Sequence, residues 1–300
     1  MKTVKLHTTV VALLALATSA FAQGGFTLFG ESGPELTGSE KFVRPISAPY
    51  FHEDSFVTTD LRAWVVYHEF EDGSGADAID GDVTVYALQV RLALTQSLQF
   101  VAYKDGYTDF NDTALNDADV VSDGWNDIGA GIKWAFYQNW EKQLHMAVGI
   151  GYEFGVGDED VLQDTNELRL WGSFNKGFEK LHIGGTANFI VADSEGEGRL
   201  GNSDMLTLHA HADYYLCEWF SPVVELNAYM VTSGDTQPFS GVDAVSLNGG
   251  EDNDTYTGAL GGEFRPLGDD FGIRVAYETG LNSNESLFGD RWTFSAVYEF

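Results

Sequence analysis

Strict alternation of apolar and polar residues over 290–300 is the feature that most constrains what this chain can fold into. Alternation with a period of two predicts a β-strand whose two faces meet different surroundings. The polar face carries charged residues at Arg291 and Glu299, and the last residue is aromatic. The apolar face consists of Trp292, Phe294, Ala296, Tyr298 and Phe300.

Twelve segments of this kind follow one another from about residue 61. Most have one clearly apolar parity, as Tyr86, Leu88 and Val90 illustrate in the second segment. The first segment is ambiguous, because both of its parities carry large apolar residues. The predicted strands are 61–70, 83–94, 98–107, 125–136, 144–155, 166–175, 181–191, 204–216, 221–232, 255–265, 271–281 and 290–300.

The connections between these strands alternate in length. Short turns on one side of a sheet and long loops on the other are typical of outer-membrane barrels. We therefore predict an all-β fold, a transmembrane antiparallel up-and-down β-barrel of about 12 strands with short periplasmic turns and long acidic external loops. A β-sandwich or jelly roll also contains many short strands and is the alternative. The long connections are 71–82, 108–124, 156–165, 192–203, 233–254 and 282–289.

The N-terminus predicts export. Lys2 and Lys5 precede a short apolar stretch at 10–17, and Ala20-Phe21-Ala22 has the pattern of a cleavage site. We expect a cleaved signal peptide at 1–22, an irregular arm or plug at 23–60, and the barrel at 61–300 in the outer membrane of a Gram-negative cell. Whether residues 23–60 lie in the periplasm or in the lumen is open at this stage.

The charge of the chain limits its partners. The net charge of −30 disfavours nucleic acid, because phosphate partners need a basic face. The long loops hold half of the acids, with Arg199 as their one basic residue. Such loops concentrate cations at a pore mouth or bridge to lipopolysaccharide through divalent cations; simple solvation of long loops is the plainer explanation.

Charged residues also occupy the non-apolar parity of the strands. A charge on the lipid face of a barrel costs about 2–4 kcal/mol at mid-depth for Arg or Lys, so these side chains are expected to point inward. They either fill a narrow barrel with ion pairs, such as Glu263 with Arg274, or line a pore. The candidate lumen residues are Arg91, Lys133, Glu153, Glu167, Arg169, His209, His211, Asp213, Glu225, Glu263, Arg265, Arg274, Glu278 and Arg291.

His209, His211 and Asp213 form the most suggestive cluster, since they share one face of a strand. Glu225 and Asn227 are expected opposite them across a short turn. Imidazole beside carboxylates can bind a metal or activate water. A hydrogen-bonded lumen cluster explains the same pattern, and we predict no catalytic site, no metal site and no cofactor. The single Cys217 cannot form an internal disulfide.

Two features resemble known proteins. The strand ending on Phe300 resembles the C-terminal signal that the assembly machinery of Gram-negative outer-membrane barrels reads. The segments 124–136 (GWNDIGAGIKWAF), 144–158 and 221–227 resemble motifs of outer-membrane transporter barrels, some of them labelled phenol-degradation-pathway proteins, although Asn126 and Val156 depart from the pattern. The resemblance implies passive transport across the outer membrane. It also implies lipid, lipopolysaccharide and the assembly machinery as partners, together with cations or a small solute.

Overall fold

A computed structural model describes residues 25–70, 81–111, 113, 121–158, 161, 166–193, 204–233, 254–282 and 288–300. The predicted signal peptide at 1–22 lies outside these residues. Among them, no helix is long and apolar enough to cross a membrane. The strands are β1 Asp60–Glu69, β2 Asp82–Ala93, β3 Leu98–Lys104, β4 Tyr107–Asn111, β5 Gly124–Trp125, β6 Ile128–Asn139, β7 Leu144–Phe154, β8 Glu167–Phe178, β9 Leu181–Ala192, β10 Asp204–Tyr214, β11 Phe220–Ser233, β12 Thr255–Phe264, β13 Phe271–Gly280 and β14 Asp290–Glu299.

These segments build twelve strands of a closed antiparallel barrel. Both β3 and β4 pair with β2, and β5 and β6 pair with β4 and β3, so each of these couples is one interrupted strand. The first interruption falls at Gly106, whose φ is +125° and where a Cβ would come within 2.4 Å of the carbonyl oxygen of Tyr86. Only glycine tolerates that combination. The predicted number of strands and their antiparallel order are therefore confirmed.

The barrel closes between its first and last strands. β1 pairs with β14 over its whole length, from Asp60 opposite Glu299 to Glu69 opposite Asp290. β1 also pairs with β2, so the sheet has no free edge. The alternating segment 290–300 is thus the strand that completes the closure of the barrel.

The two ends of the barrel differ. Short turns join β2 to β3, β6 to β7, β8 to β9, β10 to β11 and β12 to β13, at the same end as the start of β1 and the end of β14. We call this the short-turn end. The long connections at the other end, which were predicted to be acidic external loops, lie mostly outside the described residues. Some boundaries were wrong. The predicted loop 108–124 is shortened at both ends, because β4 and β5 take up 107–111 and 124–125, and β6 and β8 each run three residues beyond their predicted ends, to Asn139 and Phe178.

The two faces of the sheet divide apolar from polar side chains as the alternation predicts. Large apolar residues such as Leu88, Ile150 and Leu260 are exposed on the outside. Arginines, acids and amides are buried on the inside. The ambiguous first strand places Trp64 and Val66 inside and Val65 outside.

Residues 25–59, which we call the arm, run from the short-turn end into the barrel. The backbone N–H of Phe26 donates to the carbonyl of Phe300, and that of Leu28 donates to Ala93, so the start of the arm lies on the barrel rim. A 3₁₀ turn at Gly38–Glu40 follows. Every residue from 41 to 56 is then buried inside the barrel.

Apolar side chains of the arm pack on the inner wall. Tyr50 and Phe51 join a buried cluster with Val66, Tyr229 and Val231. Val43 and Ile46 pack in a second cluster that includes Trp64, Val223 and Ala276. Burial of an aromatic or aliphatic side chain contributes about 1.5–3 kcal/mol, so these few anchors stabilise the docked arm substantially.

Candidate functional site

The interior of the barrel is the candidate functional site. All fourteen charged and imidazole residues proposed for the lumen are buried in the structure. Most of them contact the arm or one another rather than an open channel. The arm, whose position the sequence left open, is therefore the element that organises the site.

One side of the lumen holds the arm by its backbone N–H groups. Glu225 in β11 accepts N–H groups from Ile46 at 2.9 Å and from Ser47 at 2.6 Å. Asp213 in β10 accepts the N–H of Val43 at 3.2 Å. We call Asp213 and Glu225 the acidic wall. Hydrogen bonds to a charged acceptor are stronger than neutral ones, so two carboxylates fix this stretch of irregular backbone firmly.

Histidines orient these two carboxylates. His182 Nδ1 lies 2.7 Å from Asp213, and His211 lies 2.7 Å from Glu225 and 3.2 Å from Asp213. The other nitrogen of His182 contacts the carbonyl oxygen of Ser39 in the arm at 3.0 Å. The result is a continuous hydrogen-bonded chain from the arm through β9, β10 and β11.

His209 belongs to the same face but has different partners. Its two nitrogens lie 2.8 Å from Asn227 and 2.9 Å from Thr207. The predicted pairing of β10 with β11 is confirmed, because His209 lies opposite Asn227 and His211 opposite Glu225. Among the described residues, no group of three or more His, Cys, Asp or Glu is arranged to hold a metal ion. Both nitrogens of His209 and His211 are engaged in hydrogen bonds, which suits a structural cluster.

The opposite side of the lumen is positively charged. Arg62 in β1, Arg91 in β2 and Lys133 in β6 all point inward and are almost completely buried. We call these three residues the cationic wall. In the strand order around the barrel they lie about half a circuit from β10 and β11.

The arm places two consecutive carboxylates against the cationic wall. Glu53 lies 2.7 Å from Arg91 and 4.0 Å from Lys133. Asp54 lies 3.3 Å from Arg62 and 3.5 Å from Lys133. Burial by itself would raise the pKa of Asp54, but the positive charges of Arg44, Lys133 and Arg62 outweigh burial and hold this pKa well below its usual value.

Carbonyl groups of the arm bind a further arginine. Arg169 in β8 donates to the carbonyl oxygens of Tyr50 and Phe51, at 2.5 and 2.9 Å, and to the side chain of Asn188. Its guanidinium also lies 4.7 Å from the ring centre of Tyr103 and 4.8 Å from that of Trp171. Arg169 thus holds the deepest part of the arm without a carboxylate.

Most of the remaining predicted lumen residues form ion pairs within the wall. The predicted pair of Glu263 with Arg274 is confirmed at 2.6 Å, and Arg265 also lies 2.6 Å from Glu263. Arg291 lies 3.4 Å from Glu278. Glu153 lies 2.5 Å from Lys104, and Glu167 is buried beside it in the register of β7 with β8.

A cavity of about 280 Å³ opens at the short-turn end, between the arm and the barrel rim. Phe42, Phe56 and Trp140 form apolar parts of its lining. Lys41 and Arg44 also line it, and both lie near Glu299, at 3.1 and 3.5 Å. The cavity therefore contains paired charges and leads to the point where the arm enters the lumen.

Sequence reasoning missed several members of this site. Glu53, Asp54 and Arg44 lie in the arm, which has no periodic pattern to indicate their direction. Arg62 lies on the ambiguous first strand, and its parity follows from the structure alone. The one signal available in the sequence is an acidic pair, Glu53 and Asp54, a few residues before a strand that carries an arginine.

Comparison with solved structures supports the fold. An outer-membrane channel from Pseudomonas putida F1 superposes with a TM-score of 0.59 at 14% identity, covering 84% of this chain and 98% of that one. The NanC porin gives a TM-score of 0.49 at 10% identity, and the KdgM porin, solved in complex with disordered oligogalacturonate, gives 0.46 at 12%; each comparison covers 81% of this chain and 99% of the other. The protein has the fold of Gram-negative outer-membrane β-barrels.

No known protein family matches the chain, and no curated protein matches it in sequence. The resemblance of segments 124–136, 144–158 and 221–227 to phenol-degradation-pathway proteins therefore stays a prediction at the level of the family. At sequence identities of 10–14%, these comparisons show a shared fold and nothing about a shared function.

Proposed function

We propose that this protein is an outer-membrane channel or passive transporter for a small solute, with the arm as a plug that must move before solute passes. The observation that carries the proposal is the polar character of the contact between arm and wall. Besides the apolar anchors described above, ion pairs and hydrogen bonds to backbone groups hold residues 41–56, and water can replace these polar contacts when the arm withdraws. A barrel built only for rigidity is better served by an apolar interior.

The second candidate is a closed structural or surface-interaction barrel. The same arm favours it, since every residue from 41 to 56 is buried in the docked state. In that case the long acidic loops interact with other molecules and the lumen conducts nothing. An enzymatic role for His209, His211 and Asp213 is the least favoured, because the nitrogens of both histidines are occupied.

The proposed location implies several partners. Exposed apolar side chains around the barrel suit contact with the lipids of the outer membrane, and the loops suit lipopolysaccharide bridged by cations. We also propose that the assembly machinery reads the terminal strand with Phe300. Nucleic acid is not among the proposed partners.

A reversible crosslink between arm and wall tests the channel. Ser47 Oγ lies 2.9 Å from the side-chain nitrogen of Asn227, which makes these two positions the choice for a pair of cysteines. The variant Ser47→Cys/Asn227→Cys is made with Cys217→Ser, and Cys217→Ser alone is the control. In planar lipid bilayers we expect little conductance after oxidation and clear conductance after reduction. Absence of conductance in both states would instead support the closed barrel.

A further inference from the structure

The cationic wall depends on the arm for its counter-charges. Among the described residues, the carboxylates within salt-bridge distance of Arg91 and Lys133 are those of Glu53 and Asp54. Arg62 has an additional partner in its own strand, Asp60 at 2.6 Å. Withdrawal of the arm therefore leaves Arg91 and Lys133 without a carboxylate at salt-bridge distance, although Asp60 lies opposite Arg91 in the register of β1 with β2. The ion pairs of β12–β14 stay intact.

Glu53 and Asp54 contact the cationic wall in the way that a bound dicarboxylate ligand would. Glu53 and Asp54 present two carboxylates on consecutive residues to three cations from three strands. Arg91 and Lys133 point inward on either side of β3, since Val101 pairs with Arg91 and Gln99 pairs with Lys133. The three cations project from strands of the barrel wall, so their positions do not depend on the arm. The neutralisation of their charges does depend on it.

Clustered cations without counter-charges repel one another, and an anion that reaches them is held by charge-assisted hydrogen bonds. Arginine favours carboxylates in particular, because its planar guanidinium matches the two oxygens. The lumen as a whole is not simply positive, because the acidic wall faces this group from the other side. A small solute whose carboxylates lie close together, as those of Glu53 and Asp54 do, suits this division.

We propose that Arg62, Arg91 and Lys133 form a binding site for carboxylate-bearing solutes, and that Glu53 and Asp54 of the arm occupy this site as a built-in substitute for the solute. This inference rests on the proposed function in that it names the class of solute that would pass. It gives the arm a second role: its two carboxylates compete with the solute. A tethered competitor acts at an effective concentration on the order of millimolar, so solute must approach that level to displace it.

Binding is tested with the full-length protein in detergent by titration calorimetry with succinate, and with succinamide as the neutral analogue. The double variant Glu53→Gln/Asp54→Asn removes the competing charges. We expect it to bind succinate about tenfold more tightly than the wild type does, and succinamide not at all. Addition of Lys133→Met or Arg91→Met to the double variant is expected to abolish succinate binding. The matched control is Glu35→Gln/Glu40→Gln, which removes two exposed arm carboxylates and leaves binding unchanged.

A second measurement uses the wild type alone. Succinate, and not succinamide, is expected to accelerate hydrogen exchange of the arm amides at 43–56, because it displaces the arm from the cationic wall. If a folded barrel shows no difference between succinate and succinamide in either experiment, the proposal is wrong. Neither measurement depends on conduction, so the two proposals fail separately. A protein that conducts but does not respond to succinate would refute the binding site alone. A protein that binds succinate but never conducts would refute the channel.

Discussion

The carboxylate of Glu225 accepts the backbone N–H of Ser47 at 2.6 Å, which joins the middle of β11 to the middle of the arm across 178 residues of sequence. The same carboxylate accepts the N–H of Ile46 and contacts His211. Because three partners converge on one acid, Glu225 is the point where a single substitution most affects the docked arm.

Glu225→Gln is therefore expected to loosen the arm. The amide keeps the size of the side chain but removes its charge, and hydrogen bonds to charged groups are worth about 1.5–3 kcal/mol. Trypsin provides the measurement, because Lys41 is buried in the docked arm and becomes a cleavage site when the arm leaves. We expect cleavage after Lys41 to be faster by an order of magnitude or more at about 2 kcal/mol. Glu40→Gln, at an exposed arm position, is the control, and equal cleavage of both variants would contradict the prediction.

Arm docking is also expected to weaken in mild acid. Burial first, and the neighbouring His209 and His211 next, hold the pKa of His52 well below its usual 6.5, although Glu225 and Asp54 act in the opposite direction. The undocked arm takes up a proton near pH 6.5, and the docked arm does so only at lower pH. Docking stability is thus fully present above about pH 6.5 and falls as the pH decreases below that value.

Hydrogen exchange of the amides at 43–56, corrected for the intrinsic pH dependence of exchange, measures this loss between pH 7.5 and 5.5. His52→Gln removes the titrating ring and is expected to flatten the pH dependence. An equal slope in the variant and the wild type would assign the effect to other groups.

Tight packing of glycines against aromatic rings stabilises the wall beside β7. A Cβ at Gly149 would lie 2.1 Å from the ring of Trp171, whereas a Cβ at Gly172 meets nothing within 4 Å. Gly149→Ala is expected to destabilise the barrel by about 1–3 kcal/mol, as overpacking does elsewhere, and Gly172→Ala to have little effect. Urea unfolding in lipid vesicles compares the two, and equal midpoints would show that Trp171 moves aside freely.

A charge on the outer face tests the depth of the barrel in the membrane. Leu260 is exposed in the middle of β12, and Leu267 is exposed in the turn that follows. Leu260→Arg is expected to cost about 2–4 kcal/mol in a bilayer, and Leu267→Arg about 0–1 kcal/mol. The comparison is made by reversible unfolding in lipid vesicles. Equal costs would mean that β12 does not span the hydrocarbon layer at Leu260.

The barrel was predictable from sequence because its information is local. Alternation along each strand states which side chains face lipid, and the inward residues follow by parity, as Arg91 and Glu263 illustrate. The pair of Glu263 with Arg274 was accessible because the two residues flank one short turn. The interruption of a strand at Gly106 was not predictable, because a single glycine in a chain with many glycines forms no pattern.

The position of the arm, in the lumen or in the periplasm, was not predictable, for a physical reason. Val43, Ile46 and Ser47 bind the acidic wall through backbone N–H groups, which every residue type except proline carries. Glu53 and Asp54 pair with cations on β1, β2 and β6, and irregular chain has no period that would give their direction. Only the three-dimensional path of the arm brings the two sets of charges together.

The way the arm meets the rim has a topological consequence. Its first described residues bond to the rim at Phe300 and Ala93, and its last residue, Thr59, bonds to Phe26 and to the N–H of Phe300 at the same rim. The buried stretch is thus a loop whose two ends are bonded to the same rim, and not a tail threaded through the barrel. The movement proposed above would therefore carry a closed loop out of the barrel and back, with no free chain end passing through the opening and no knot formed.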